Sequence, residues 1–113
     1  MSVADCIFCK IINKEIPCLP VLETEDIIVI KDISPKAPIH YLILPKKHVN
    51  DIRALEECDV VLAGKLLMTA KQVSASHDNI PFKLLVNNGH EAGQRVYHMH
   101  IHFLAGGSLP EWL

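Results

Sequence analysis

The chain lacks any apolar run approaching the ~18 residues needed to cross a bilayer. Met1-Ser2-Val3-Ala4-Asp5 has neither the basic start nor the apolar stretch of a signal peptide. The expectation is a cytoplasmic protein with no membrane role. Positive charge is also in short supply: 11 basic against 13 acidic residues leave a net charge of −2. Polymeric nucleic acid, whose phosphates call for a basic face, is therefore not an expected partner. One mononucleotide, held by a few local donors, is still compatible with that charge. Cysteine numbers only four, and in a reducing cytosol Cys6, Cys9, Cys18 and Cys58 are thiols or metal ligands rather than a disulfide framework. No repeat, low-complexity tract or linker divides the 113 residues, so they form one domain large enough to bury a core.

What the chain does have is secondary-structure punctuation and histidine. Residues 6–14 predict a short helix with Ile7, Lys10 and Ile11 along one side, ended before Pro17 and Pro20. Strands are expected at 21–23 and 27–32, the second carrying the β-branched run Ile27-Ile28-Val29-Ile30, and at 39–44 before Pro45. Val60, Ala63, Leu67, Ala70 and Val73, spaced by three and four, predict one long helix over 56–77. Further strands are expected at 82–87 and 96–104. The fold class is α+β, a five-stranded antiparallel sheet covered by one long helix plus a short N-terminal helix.

Seven histidines are many for this length, and three of them alternate in His98-Met99-His100-Ile101-His102. On a strand, side chains alternate faces, so the histidines share one face while Met99, Ile101 and Phe103 share the other. The apolar side packs against the long helix. For the imidazoles two chemistries are open. Neighbouring members lie about 6.6 Å apart along a strand and can share a metal ion, although the outer pair, about 13 Å apart, strains a single three-histidine site. Alternatively, a neutral imidazole is a nucleophile at neutral pH and a good leaving group once protonated. Upstream, Asn87-Asn88-Gly89-His90-Glu91-Ala92-Gly93-Gln94 reads either as an ordinary turn or as a cradle of amides and glycines for a phosphoryl group.

His98-Met99-His100-Ile101-His102-Phe103-Leu104 resembles the signature of the histidine triad (HIT) family. Asp32 to His40, Leu44-Pro45-Lys46-Lys47-His48 and Gly93-Gln94 before Val96-Tyr97-His98 resemble its nucleotide-binding (Hint) branch. The resemblance runs from Cys6 to Gly107. It implies a homodimer, with the two sheets pairing into ten strands, that hydrolyses phosphoramidate bonds of purine nucleoside monophosphates. It further implies that His100 is the nucleophile forming a nucleotidyl-histidine, that His102 contacts the phosphate or leaving group, and that His40 supports them. Asp32 would bind the ribose hydroxyls, Ile33 would line the base pocket, and Asn87, Gly93 and Gln94 would surround the phosphate. Arg95 departs from the serine of many animal members and either clamps a phosphate oxygen or faces solvent. In the family the tail tunes substrate choice, which makes Trp112 a candidate contact.

Cys6-x-x-Cys9 alone is compatible with plain core residues. Some histidine triad proteins bind zinc through a similar pair, a histidine after a Pro-Lys-x motif and the first triad histidine. Cys6, Cys9, His48 and His98 match those positions and form the donor set of a closed structural zinc site; no cofactor is implied for the catalysis itself. His77 and His90 are expected at a helix end and in a loop, mostly solvated, and Lys46-Lys47 in a solvated turn. Two other classes compete with the enzyme reading: a nucleotide-binding or interaction module with vestigial activity, and a metal-dependent hydrolase.

Overall fold

The structure is a computed structural model, described for residues 5–109; Trp112 lies outside them. Helix α1 (Ile7–Ile12) is followed by β1 (Leu22–Glu23), β2 (Ile27–Lys31), β3 (Ile39–Pro45), α2 (Val60–Ala75), β4 (Phe82–Leu85) and β5 (Ile101–Ala105). The strands make one antiparallel sheet in the order β1-β2-β3-β5-β4. The α+β architecture expected from the sequence is the one observed. Among the described residues no helix is long and apolar enough to cross a membrane.

The register divides the chemistry between two faces. Ile43 lies opposite Val29 and Ile101, and Tyr41 lies opposite Phe103. Directly opposed residues share a face, so this side gathers Ile27, Val29, Ile43, Ile101 and Phe103 against Leu66, Ala70 and Val73 of α2. On the reverse side Ile28, Ile30, Leu42 and Leu44 pack against Cys6, Phe8 and Cys9. Phe103 is the largest fully buried side chain of the α2 face.

Three expectations need correction. The long helix starts at Val60, because Glu57–Asp59 forms a 3-10 turn: Glu56 N–H donates to Asp59 Oδ2 at 3.0 Å while Asp59 Oδ1 accepts from Lys47 at 2.7 Å. Its buried stripe is Leu66, Thr69, Ala70, Val73 and Ser74, and Val60 and Leu67 are left exposed. Spacings of three and four fit two adjacent stripes equally well, and packing selects the one that includes Leu66. In α1, Phe8 and Cys9 are buried while Ile7 is exposed. This short helix turns its cysteine side inward, with Cys6 Sγ capping it by accepting from Cys9 N–H at 3.3 Å.

The third correction concerns the histidine run. Regular strand pairing begins at Ile101, not at 96, so only His102 of the three lies on β5. Met99 N–H donates instead to Val49 carbonyl at 2.6 Å, stitching 96–100 to the loop after β3. The alternation nevertheless survives: Met99, Ile101 and Phe103 join the α2 core, and the histidines face the other way.

Candidate active site

His40 on β3 and His102 on β5 occupy the same sheet face, since His40 pairs with Leu104 and Leu42 with His102. Their ring nitrogens meet, His40 Nε2 to His102 Nδ1, at 2.9 Å. The tautomers follow from fixed donors and acceptors. Lys36 N–H donates to His40 Nδ1 at 3.1 Å, so the His40 proton sits on Nε2, between His102 Nδ1 and Asp32 Oδ2, the latter 3.4 Å away. His102 then accepts at Nδ1 and keeps a proton on Nε2. His100 Nδ1 lies 2.8 Å from the His98 carbonyl. A carbonyl only accepts, so Nδ1 carries the proton and Nε2 is left with its lone pair.

Burial keeps these rings neutral. It pushes His102 down to about 4, helped by repulsion from His100 and His40. It also lowers His100 against the opposing pull of the His98 carbonyl and the Asp32 charge. His40 falls for the same reason, although Asp32 works the other way. Neutral imidazole at pH 7 is the form a nucleophile requires.

His100, His102 and Val96 form a wall common to two cavities. One, of about 250 Å³, is apolar and lined by Ile7, Phe8, Ile11, Ile30 and Leu42, with Asp32 and Ile33 at its mouth. Ile33 is 97% exposed and forms an outer lip; Asp32 Oδ1 is turned back to accept from Ser34 N–H at 2.7 Å. The other cavity, of about 330 Å³, is bounded by Lys36, His40, Leu85, Asn87, Gly93, Arg95 and Leu104. A cavity of about 380 Å³ lies between the Thr24–Ile27 turn and α2. It holds none of the histidines, and its Lys65 and Asp26 are paired at 2.6 Å.

The loop residues expected around a phosphate separate. Gly93, in the left-handed region at φ 96°, and Asn87, whose Nδ2 donates to Ala92 carbonyl at 2.7 Å, line the larger cavity. Gln94 does not. Its side chain is buried and spent on backbone: Oε1 accepts from Gly89 N–H at 2.7 Å, and Nε2 donates to the carbonyls of Asn50 at 2.6 Å and Val96 at 3.0 Å. It latches the loop rather than facing a ligand. Arg95 lines the larger cavity; its Nη1 donates to the carbonyls of His90 at 2.9 Å and Gln94 at 3.0 Å. Lys36, Phe8 and Val96 were not singled out by sequence. The Pro-flanked loop Ser34-Pro35-Lys36-Ala37-Pro38 was the available signal for Lys36.

Of the blander sites, His90 is exposed and 3.2 Å from Tyr97 hydroxyl, while His77 is half-buried beside Tyr41 hydroxyl at 3.3 Å. Lys46 and Lys47 are not free but pair with Glu23 and Asp59, each at 2.7 Å.

Comparison with known proteins decides the family. The family model described as "Scavenger mRNA decapping enzyme C-term binding" matches residues 5–112. An uncharacterized HIT-like protein of Synechocystis is 44% identical over 103 residues, 90% of each chain. The chain belongs to the histidine triad family. Among solved HIT structures, a HIT family hydrolase from Legionella pneumophila superposes with a TM-score of 0.90 at 37% identity, over 95% of this chain and 97% of that one. One from Clostridium thermocellum gives 0.92 at 36%, over 99% and 100%. The HIT histidines of this chain are thus not equivalent: His100 and His102 face the cavities, whereas His98 is fully buried and lines neither.

His98 belongs to a second cluster. Its Nδ1 lies 3.4 Å from Cys6 Sγ and 3.5 Å from Cys9 Sγ, and His48 Nδ1 lies 3.2 Å from Cys9 Sγ. All four donor atoms lie within 4.8 Å of one another. The far nitrogens are occupied: His98 Nε2 donates to Pro45 carbonyl at 2.8 Å, and His48 Nε2 to Asn50 Oδ1 at 3.2 Å. Both Nδ1 lone pairs are therefore left for a cation, with the second-sphere acceptors typical of metal-binding histidines. Burial, and then the Cys6 thiol, push the Cys9 thiol up to about 11, so a cation would have to displace its proton. The donor set fits a closed tetrahedral site. Asp32, His40 and His102 also cluster, but His40 and His102 stand at hydrogen-bond distance.

Proposed function

We propose that this chain hydrolyses a phosphoramidate or related bond at the α-phosphate of a purine nucleoside monophosphate derivative, through a nucleotidyl-histidine on His100. The observation carrying the reading is the His100 Nδ1–H bond to the His98 carbonyl, which leaves a neutral Nε2 lone pair on the wall between two cavities. The apolar cavity suits a base, with Asp32 positioned at its mouth for the ribose hydroxyls. Nε2 attacks the α-phosphorus, and the bond to the leaving amine breaks as the amine takes a proton from solvent. The ring becomes cationic on attack, and its Nδ1–H bond to the carbonyl strengthens. His102 Nε2–H donates to a phosphoryl oxygen whose charge grows, a role in which preorganised donors act most strongly. Water then attacks the phosphorus, the Nε2–phosphorus bond breaks and a proton returns to solvent, giving mononucleotide and amine.

Cys6, Cys9, His48 and His98 would hold a zinc ion that braces the fold and takes no part in these steps. A homodimer is supported by the exposed Val60, Val61, Leu67 and Met68 of α2 together with the edge position of β4, which leaves backbone groups for a second copy to extend the sheet. The deciding experiment is a mass spectrum after brief exposure to an adenosine phosphoramidate. A nucleotidyl adduct on His100 is expected, absent from His100→Ala; turnover retained by His100→Ala would exclude this nucleophile.

A further inference from the structure

The two cavities flanking His100 differ in charge. The apolar one has Asp32 at its mouth, with Lys31 beside it. The larger one has two basic side chains, Lys36 and Arg95, and no carboxylate along its wall. Its other polar side chains are those of Asn87, His40, His100 and His102. In a chain of net charge −2, this is a local cationic chamber in contact with the attacking nitrogen.

Neither cation is neutralised. Among the described residues the ion pairs of lysine and arginine involve Lys14, Lys46, Lys47, Arg53 and Lys65, not Lys36 or Arg95. Arg95 is held in place through one nitrogen only, Nη1, which donates to the His90 and Gln94 carbonyls. That anchoring fixes the guanidinium while its Nη2 and Nε donors have no partner among the described residues. An anchored guanidinium with free donors is preorganised for bidentate capture of a carboxylate or phosphate. Among the described residues Lys36 Nζ donates only to Ser34 carbonyl, at 3.4 Å, and brings a compact second charge from the β2–β3 loop.

We propose that the cavity bounded by Lys36 and Arg95 is a subsite for a leaving group that carries its own anionic group, so that the preferred substrates are nucleotides joined to an acidic amine rather than to a neutral one. This rests on the phosphoramidate reading above and narrows it. With the nucleoside in the apolar cavity and phosphorus at His100, the leaving group enters the other cavity. At about 330 Å³ this is at the small end of ligand clefts, sized for a small amine. Leu85 and Leu104 take its apolar part, and the two cations take its charge. The departing product is thereby an amine bearing a carboxylate or a phosphate.

The test compares three adenosine phosphoramidates of one aromatic amine: the unsubstituted amine, its carboxylate derivative and its phosphate derivative. Wild type is expected to show a kcat/KM at least about tenfold higher for one or both acidic substrates, the scale of one charged hydrogen bond. Whichever derivative gains identifies the anion. Arg95→Ala and Lys36→Ala are each expected to collapse the acidic-to-neutral ratio, chiefly through KM, and Arg95→Lys to restore part of it; thermal melts of the variants check that they fold. Equal rates on all three substrates, or a ratio untouched by both substitutions, overturn the subsite while leaving the phosphoramidase reading standing. Failure to cleave any of the three overturns both.

Discussion

Gln94→Ala separates two roles for one residue. A phosphate ligand would affect turnover and leave stability alone. As a latch, Gln94 holds Gly89 N–H, Asn50 carbonyl and Val96 carbonyl from a fully buried position. Truncation leaves those three groups without the side chain that joins them. At about 1 kcal/mol net per hydrogen bond, the loss is about 3 kcal/mol, with a cavity contribution on top. For a domain of this size that corresponds to a fall in Tm of about 12 °C. Urea unfolding followed by circular dichroism should move the midpoint without changing the slope. A stability loss below about 1 kcal/mol accompanied by a collapse in kcat would refute the latch.

Four further outcomes are expected. Protein purified without chelator should carry zinc near one equivalent and Cys9→Ser should not; less than about a tenth of an equivalent in wild type sinks the structural metal. Stability should fall as pH drops from 6.5 to about 4, because the unfolded chain protonates His102 while burial, reinforced by repulsion from His100, His40 and Lys36 and opposed by Asp32, keeps the folded ring neutral. The slope is up to about 1.4 kcal/mol per pH unit for this group, and denaturation midpoints that are flat over that window contradict it. Gly93→Ala should cost about 1 kcal/mol from φ 96° alone and more from a Cβ 3.2 Å from Asn87 Nδ2, read out as lowered Tm and turnover. Leu67→Glu should shift sedimentation from dimer to monomer; a wild type that is already monomeric ends the dimer proposal.

Strand positions were readable where neighbours along the chain determine the outcome. The β-branched run Ile27-Ile28-Val29-Ile30 predicts a strand by itself, and the structure buries it on both faces. The stripe of α2 was misjudged because Leu66 and Leu67 both satisfy helical spacing, and only the sheet beneath chooses between them. His98 to His100 leave the ladder because Val49 and Pro45, some fifty residues away, supply their backbone and side-chain partners. Gln94 beside a glycine carries the local look of a ligand residue; two of its backbone partners, Gly89 and Val96, lie in its own loop, and the third, Asn50, comes from a loop that composition does not connect to it. Family resemblance could nominate His100 as nucleophile, whereas its tautomer depends on a carbonyl that no side-chain pattern encodes.

That carbonyl has a consequence for engineering. His98 offers its ring to the cysteine cluster and its main chain to His100, and the main-chain acceptor is present whatever side chain stands at 98. The two duties are therefore chemically independent, even though one residue performs them. A redesign that fills the volume of Cys6, Cys9, His48 and His98 with well-packed hydrocarbon would remove the proposed zinc site and still leave the His100 Nε2 lone pair facing the cavities.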